Sequence, residues 1–225
     1  MTQKADLNGG PPLGEPTWKQ RAVERSTRTM QLRAEQRVQR FLDSAQAIMV
    51  DKGTTDFTVQ EVVDRSRQSL RSFYQHFDGK HELLLALFED ALSRSAVQIR
   101  AAADEADTPL ARLEAAVRLL FDGSRPNPAM THPLFTDFAP RLLLTHPEEV
   151  KVAHAPVLTV LSELMTDVEA DGGLRPGLKP RRAAAMVMQT AMFLAQSSGP
   201  TESPTAHPLT SDEVWEFCSG GISRD

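Results

Sequence analysis

Apolar positions recur at helical spacing from one end of the chain to the other. Val38, Phe41, Leu42, Ala45, Ile48 and Met49 fall at i, i+3, i+4, i+7, i+10 and i+11. That is one face of a helix opening at Arg33 and closing at Gly53. Thr58 followed three residues later by Glu61 is a capping box, and it starts a short helix with Val59, Val62 and Val63 on its buried side. This helix stops near Arg65–Ser66. A second one starts around Ser69 with Phe73 and Phe77 turned inward. Two short helices joined by a few residues and backed by a longer one make a helix-turn-helix head.

The remaining pattern is helical too. Asp78 or Gly79 caps a long helix with Leu84, Leu87, Phe88, Ala91 and Leu92 on one face, running towards Ala106. Thr108-Pro109 is an N-cap with proline at the first helical position, followed by Leu110, Leu113, Val117, Leu120 and Phe121. After a loop at 124–133, Leu134–Leu144 reads as a short helix bent or interrupted by Pro140. Pro147-Glu148-Glu149 opens a long helix whose first carboxylates suit its dipole, ending at Gly172-Gly173 with a kink expected at Pro156. Pro180 to Ser198 is a further helix, 197–208 a loop, and Thr210 with Glu213 a second capping box before Val214, Trp215, Phe217 and Cys218. Nothing alternates as a strand and no repeat period appears. The expected fold is all-α with about nine helices: residues 1–32 a disordered tail and basic arm, 33–80 the head, and 81–225 a helical body.

Charge adds a polarity to this division. Between Thr17 and Lys80 twelve Lys/Arg stand against eight Asp/Glu, a balance of +4, so with a net charge of −5 the rest of the chain carries −9. A basic head on an acidic body suits a nucleic-acid partner. Lys19, Arg21, Arg25 and Arg28 lie in a polar stretch with little apolar surface. It reads either as a solvated helix or flexible arm, or as an arm touching phosphates or the minor groove. The single cysteine, Cys218, excludes an internal disulfide framework and a cysteine-based zinc site, and suits the cytoplasm. No apolar run approaches the roughly 18 residues of a membrane span, and the N-terminus lacks a signal-peptide core.

The run Thr58-Val59 … Ser69-x-x-x-Phe73-Tyr74-x-His76-Phe77-x-x-Lys80-x-x-Leu83-Leu84 resembles the DNA-binding signature of the TetR family of bacterial transcriptional regulators. It departs from that signature at Arg67, where the family usually has a turn glycine, and at Arg71, where it has a small residue. Ser69, Leu70, Arg71 and Gln75, with Gln68 beside them, lie on or near the leading face of the second short helix. Arg71 suits guanine O6 and N7, Gln75 suits adenine, and Leu70 suits a thymine methyl. The resemblance implies that Thr58, Tyr74, His76 and Lys80 hold the DNA backbone, contacts that position rather than specify. Structural alternatives stand beside these roles: Tyr74 as a core aromatic, His76 as a cap or packing residue, Arg71 holding a phosphate or paired with Asp64.

The resemblance further implies a double-stranded DNA operator, a homodimer, and a small apolar or amphipathic effector bound in the body, acting as a repressor. Phe121, Met130, Phe135, Phe138, Leu142, Met165, Met186, Met188, Met192 and Phe193 offer an adaptable apolar lining, although an ordinary core has the same composition. Ala183, Ala184, Ala185, Ala191 and Ala195 make the helix after Pro180 a candidate dimer surface with the last helix, or an internal packing face. Two other classes compete with a regulator. His132, His146 and His154 with Asp137, Glu148 and Glu149 have no metal-ligand spacing, and no catalytic motif appears, so neither an enzyme nor a cofactor or metal is expected. A helical interaction scaffold leaves the Tyr-x-His-Phe-x-x-Lys run unexplained.

Overall fold

The computed structural model describes residues 17–125, 134–197 and 208–224. Among them are nine α-helices: α1 (Thr17–Lys52), α2 (Val59–Ser66), α3 (Leu70–Tyr74), α4 (Lys80–Asp104), α5 (Pro109–Ser124), α6 (Ala139–Thr145), α7 (Pro147–Ala170), α8 (Pro180–Ser197) and α9 (Ser211–Ile222). The fold is all-α, as the periodicity requires. None of these helices is long and apolar enough to cross a membrane. The tail expected over 1–16 lies outside the described residues, as do 126–133 and 198–207, with Met130 and His132.

The chain divides into two compact units, the first ending at Arg40 and the second beginning at Phe41. In the first unit the polar stretch is helical from Thr17, well before the expected start at Arg33. Trp18, Val23, Met30 and Leu32 are exposed, so no buried stripe announces this helix. Its residues are good helix formers without Gly or Pro, and propensity carries it where burial does not. Thr29 Oγ1 donates to the Arg25 carbonyl at 2.8 Å, a local bond within the helix.

The second unit is a bundle in which α4 and α8 each pack on α5 and α7, α5 also packs on α7, α9 lies on α5 and α8, and α6 lies on α7. Leu113, Val117 and Phe121 of α5 and Leu161, Leu164 and Met165 of α7 are all fully buried in its core, where the two helices pack together. The alanines of α8 belong to this core. Ala183, Ala184, Ala191 and Ala195 are fully buried within the protomer, where small side chains let α8 approach α5 and α7 closely. The outward face of α8 instead carries Met186 and Phe193. Internal packing is therefore the role the alanines take.

Local signals place the ends of the helices. Gly53 closes α1 with φ +66°, its N–H donating to Met49 at 2.9 Å. Thr108 caps α5, its hydroxyl accepting from Ala111 N–H at 3.2 Å ahead of Pro109. Thr210 and Glu213 form the reciprocal box at α9. The segment before Pro140 is wound as a π turn, Leu134–Phe138, before α6 resumes α geometry. Proline has no N–H to give to the preceding turn, and this is where the winding changes. The end of α9 is tied back to the loop after α7 by Arg175 N–H to Ile222 O and Arg224 N–H to Gly173 O, both 2.8 Å.

Candidate nucleic-acid interface

The head is assembled from the ends of its helices inward. Thr58 Oγ1 accepts from Glu61 N–H at 3.2 Å, and Glu61 Oε2 accepts from Thr58 N–H at 2.8 Å and from the Thr58 hydroxyl at 3.0 Å. Lys52 at the end of α1 reaches the other Glu61 oxygen at 2.5 Å, fastening α1 to the start of α2. The Lys52 ammonium first, then the Thr58 N–H and hydroxyl, hold the Glu61 carboxyl at about 2, below its ordinary 4.5. A carboxyl depressed on folding adds stability above its unfolded value and loses it as pH falls through the folded one. We therefore expect the head to lose stability progressively from about pH 4.5 towards pH 2. Glu61→Gln should flatten that part of the pH–Tm curve; an unaltered curve would show that the box carries no acid sensitivity.

The turn after α2 answers the first departure from the family pattern. Arg67 adopts φ 55°, ψ 35°, the one left-handed non-glycine residue among those described. Its N–H donates to Asp64 O and the Gln68 N–H to Val63 O, each at 3.3 Å, the paired bonds of a Schellman close. The turn thus keeps the geometry that glycine would adopt, with an arginine in it. A left-handed L-residue costs roughly 1–2 kcal/mol, and glycine returns about 0.5–1 of that through its freer unfolded chain. Arg67→Gly should stabilise the protein by about 0.5–1 kcal/mol, read as a Tm about 2 °C higher. A lowered Tm would mean that the arginine side chain contributes more than its backbone costs.

Beyond the turn, Ser69 caps α3, its hydroxyl accepting from Ser72 N–H at 3.0 Å. Phe73 then points inward and is 0% exposed. It meets Phe41 edge-on at 5.4 Å and Phe77 tilted at 5.4 Å, so α1 and the chain after α3 close on one ring. The opposite face carries Ser69, Leu70, Arg71, Tyr74 and Gln75, all exposed, with Gln68 half-buried at its edge. Leu70 is 43% and Tyr74 55% exposed, both free to meet a partner on that face. Tyr74 is thus not a core aromatic; its ring lies perpendicular to Phe73, 5.4 Å between centroids. Asp64 accepts from Gln60 at 2.7 Å and forms no ion pair with Arg71 among the described residues. The Arg71 guanidinium is exposed.

The remaining head residues are more engaged. The Thr58 hydroxyl both donates and accepts within its box, leaving one lone pair. His76 is half-buried and its backbone N–H donates to Phe73 O at 2.9 Å. Lys80 is the first residue of α4; its ammonium lies 5.0 Å above the buried Phe57 ring and 3.8 Å from Asp56. Periodicity gave no reason to single out Phe57. Thr55 was missed as well: it is buried, and its N–H and hydroxyl both donate to Asp137 of the π turn, 82 positions away. The Thr55 hydroxyl bond chiefly holds the Asp137 carboxyl below its usual range. No local spacing could have announced that pair.

The candidate effector residues lie mostly in the packed core. Phe121, Phe138, Leu142, Met165, Met188 and Met192 are buried, and Phe135 meets Phe88 edge-on at 5.5 Å. An apolar groove of about 480 Å³ lies elsewhere, between α8 and α9, lined by Thr190, Phe193, Leu194, Leu209, Glu213, Val214 and Phe217. The candidate histidines separate. His154 is half-buried beside Phe88, its Nδ1 on Val150 O at 2.7 Å, and partial burial pushes it below its ordinary range. Burial likewise pushes the Cys218 thiol up, away from a reactive thiolate. His146 and Glu149 do come together, with His81, which sequence reasoning missed.

Residues 41–87 match the family model for bacterial regulatory proteins of the tetR family. No protein with a curated description matches the chain in sequence. Solved structures share its fold. The transcriptional regulator FadR from Bacillus subtilis, in complex with stearoyl-CoA, is 17% identical with a TM-score of 0.64, covering 82% of this chain and 98% of its own. SmeT, the repressor of the Stenotrophomonas maltophilia multidrug efflux pump SmeDEF, is 20% identical with a TM-score of 0.60, covering 84% and 91%. A transcriptional regulator of the TetR/AcrR family from Thermobifida fusca is 18% identical with a TM-score of 0.54, covering 83% and 95%. The chain thus carries, at residues 41–87, a match to the tetR family of bacterial regulatory proteins, and over most of its length it has the fold of solved transcriptional regulators.

Proposed function

We propose that this regulator is a cytoplasmic homodimeric repressor that occupies a twofold operator and leaves it when a small apolar or amphipathic molecule binds the body. The head is residues 33–80, with the arm before it, and the body is 81–225. One observation carries the DNA half of this reading: α3 buries Phe73 and presents Leu70, Arg71, Tyr74 and Gln75 outward from a rigid aromatic base. A short helix so held fits the major groove, which admits one helix and displays a distinct pattern for each base pair. Lys80, at a helix N-terminus, and Thr58, Tyr74 and His76 are suited to phosphates.

For the effector half, support comes from the fold relatives. FadR is seen with stearoyl-CoA, an apolar chain on a polar head, and SmeT is a repressor. Phe121, Phe135, Phe138, Leu142, Met165, Met188 and Met192 are the proposed lining, and the methionines give it adaptability. A ligand must open space among these side chains to bind, which is how occupancy of the body would move α4 and the head. No catalytic role is assigned to the chain.

Selection of bound DNA from a random pool by the purified chain tests the operator. We expect inverted repeats with half-site centres about 34–36 Å apart or a multiple of that; a single asymmetric motif would sink the twofold reading. Arg71 supplies the sharper test, because its guanidinium is exposed at the second residue of α3, the N-terminal end from which a recognition helix reaches base edges. Arg71→Ala should cost roughly 1–3 kcal/mol on the selected site and relax one G·C preference in each half-site. Equal weakening across all single-base variants would assign Arg71 to a phosphate instead.

A further inference from the structure

We propose that His81, His146 and Glu149 form a binding site for a divalent transition-metal ion of the zinc class, joining the first turn of α4 to the corner between α6 and α7. One ligand atom from each residue lies within 4.8 Å of the other two. His81 is the second residue of α4, His146 stands between α6 and α7, and Glu149 is in the first turn of α7. His81 Nε2 is 3.0 Å from Glu149 Oε2, and the two imidazole rings lie 4.8 Å apart. In a tetrahedral site with bonds of about 2.0–2.2 Å, ligand atoms sit roughly 3.4 Å apart. Small side-chain rotations close the difference, and the helices stay in place.

A second observation points to the same use. Thr145 Oγ1 donates its proton to the Arg141 carbonyl at 3.0 Å and lies 2.8 Å from His146 Nδ1. With its proton committed, that hydroxyl can only accept, so Nδ1 carries the imidazole hydrogen and Nε2 keeps its lone pair. A ligating histidine is prepared in this way, its far nitrogen fixed by an outer partner. Phe138 meets the His81 ring at 5.7 Å and walls one side of the cluster. Two imidazoles and one carboxylate suit zinc, nickel or copper; calcium and magnesium prefer oxygen donors. The three ligands leave a fourth position for water.

The test uses the full chain and two probes, cobalt(II) followed by its visible absorption and zinc(II) followed by calorimetry. We expect saturable binding of one ion per chain, with zinc displacing cobalt and raising Tm. Changes to outer partners alone cost about 10–100-fold in affinity. His81→Ala and His146→Ala should therefore each weaken binding by at least about tenfold, and Thr145→Val should weaken it measurably. Glu148→Gln, whose carboxylate pairs with Lys151 at 3.3 Å, should change nothing. His81 and His146 are exposed, so their alanine variants should fold, as circular dichroism would show. No saturable binding by the wild type would overturn the proposal. So would wild-type affinity in the two histidine variants, which would place the ion elsewhere.

Discussion

Phe73→Ala is expected to melt the head and abolish operator binding while the body keeps its structure. The ring is 0% exposed and is the one side chain on which Phe41, Tyr74 and Phe77 all converge, at 5.4 Å between centroids in each Phe73 pair. Truncating a buried phenylalanine costs about 3–5 kcal/mol. The loss falls on an element unable to absorb it, since five-residue α3 has no stability apart from its packing. Local opening can therefore precede global unfolding. Hydrogen exchange should show lost protection over α2 and α3, with α5 and α7 little changed. Tyr74→Ala is the contrast: its ring is mostly exposed, so protection should persist while DNA binding falls. Unchanged protection in α2 and α3 of the Phe73 variant would show that the aromatic base does not hold the head.

Part of this hierarchy is legible in the amino-acid sequence. Phe73 and Phe77 stand out because they repeat at helical spacing, and the boxes at Thr58 and Thr210 because capping is local chemistry over four residues. The Thr108-Pro109 start and the Gly53 stop are visible for the same reason. Signals that depend on distant partners are not. His81 lies far along the chain from His146 and Glu149, and Thr55 from Asp137, so no spacing rule joins them. The early start of α1 is hidden because an exposed helix writes no apolar stripe. The alanines of α8 show a subtler limit: small residues signal close approach without saying which neighbour approaches, and here it is α5 and α7 of the same chain. At Arg67 the sequence shows a missing glycine but not the outcome. The backbone keeps the left-handed turn and the arginine takes the strain.

The position of those alanines moves the proposed dimer surface to the other side of α8 and sets the last expectation. Phe193 is 69% exposed and Phe217 of α9 is 72% exposed, with Met186 and Leu209 also at the surface. The groove between α8 and α9 is lined by both phenylalanines. Large exposed apolar side chains gathered on two adjacent helices mark an interaction surface. A second copy is the occupant that a twofold operator requires, and in such an interface each ring is buried twice. Burying one phenylalanine is worth about 1.5–3 kcal/mol, so one position contributes roughly 3–6 kcal/mol per dimer, or about 10²–10⁴ in the dissociation constant. A carboxylate in place of the ring adds the cost of burying a charge. Phe193→Glu with Phe217→Glu should therefore yield a folded monomer, since neither side chain supports the protomer's core. Analytical ultracentrifugation should show the mass halved relative to the wild type. Operator binding should fall with it, because two linked heads gain their affinity from simultaneous engagement of both half-sites. A variant that keeps the wild-type mass would place the dimer contact on another face; a wild type that is already monomeric would remove the dimer from the reading altogether.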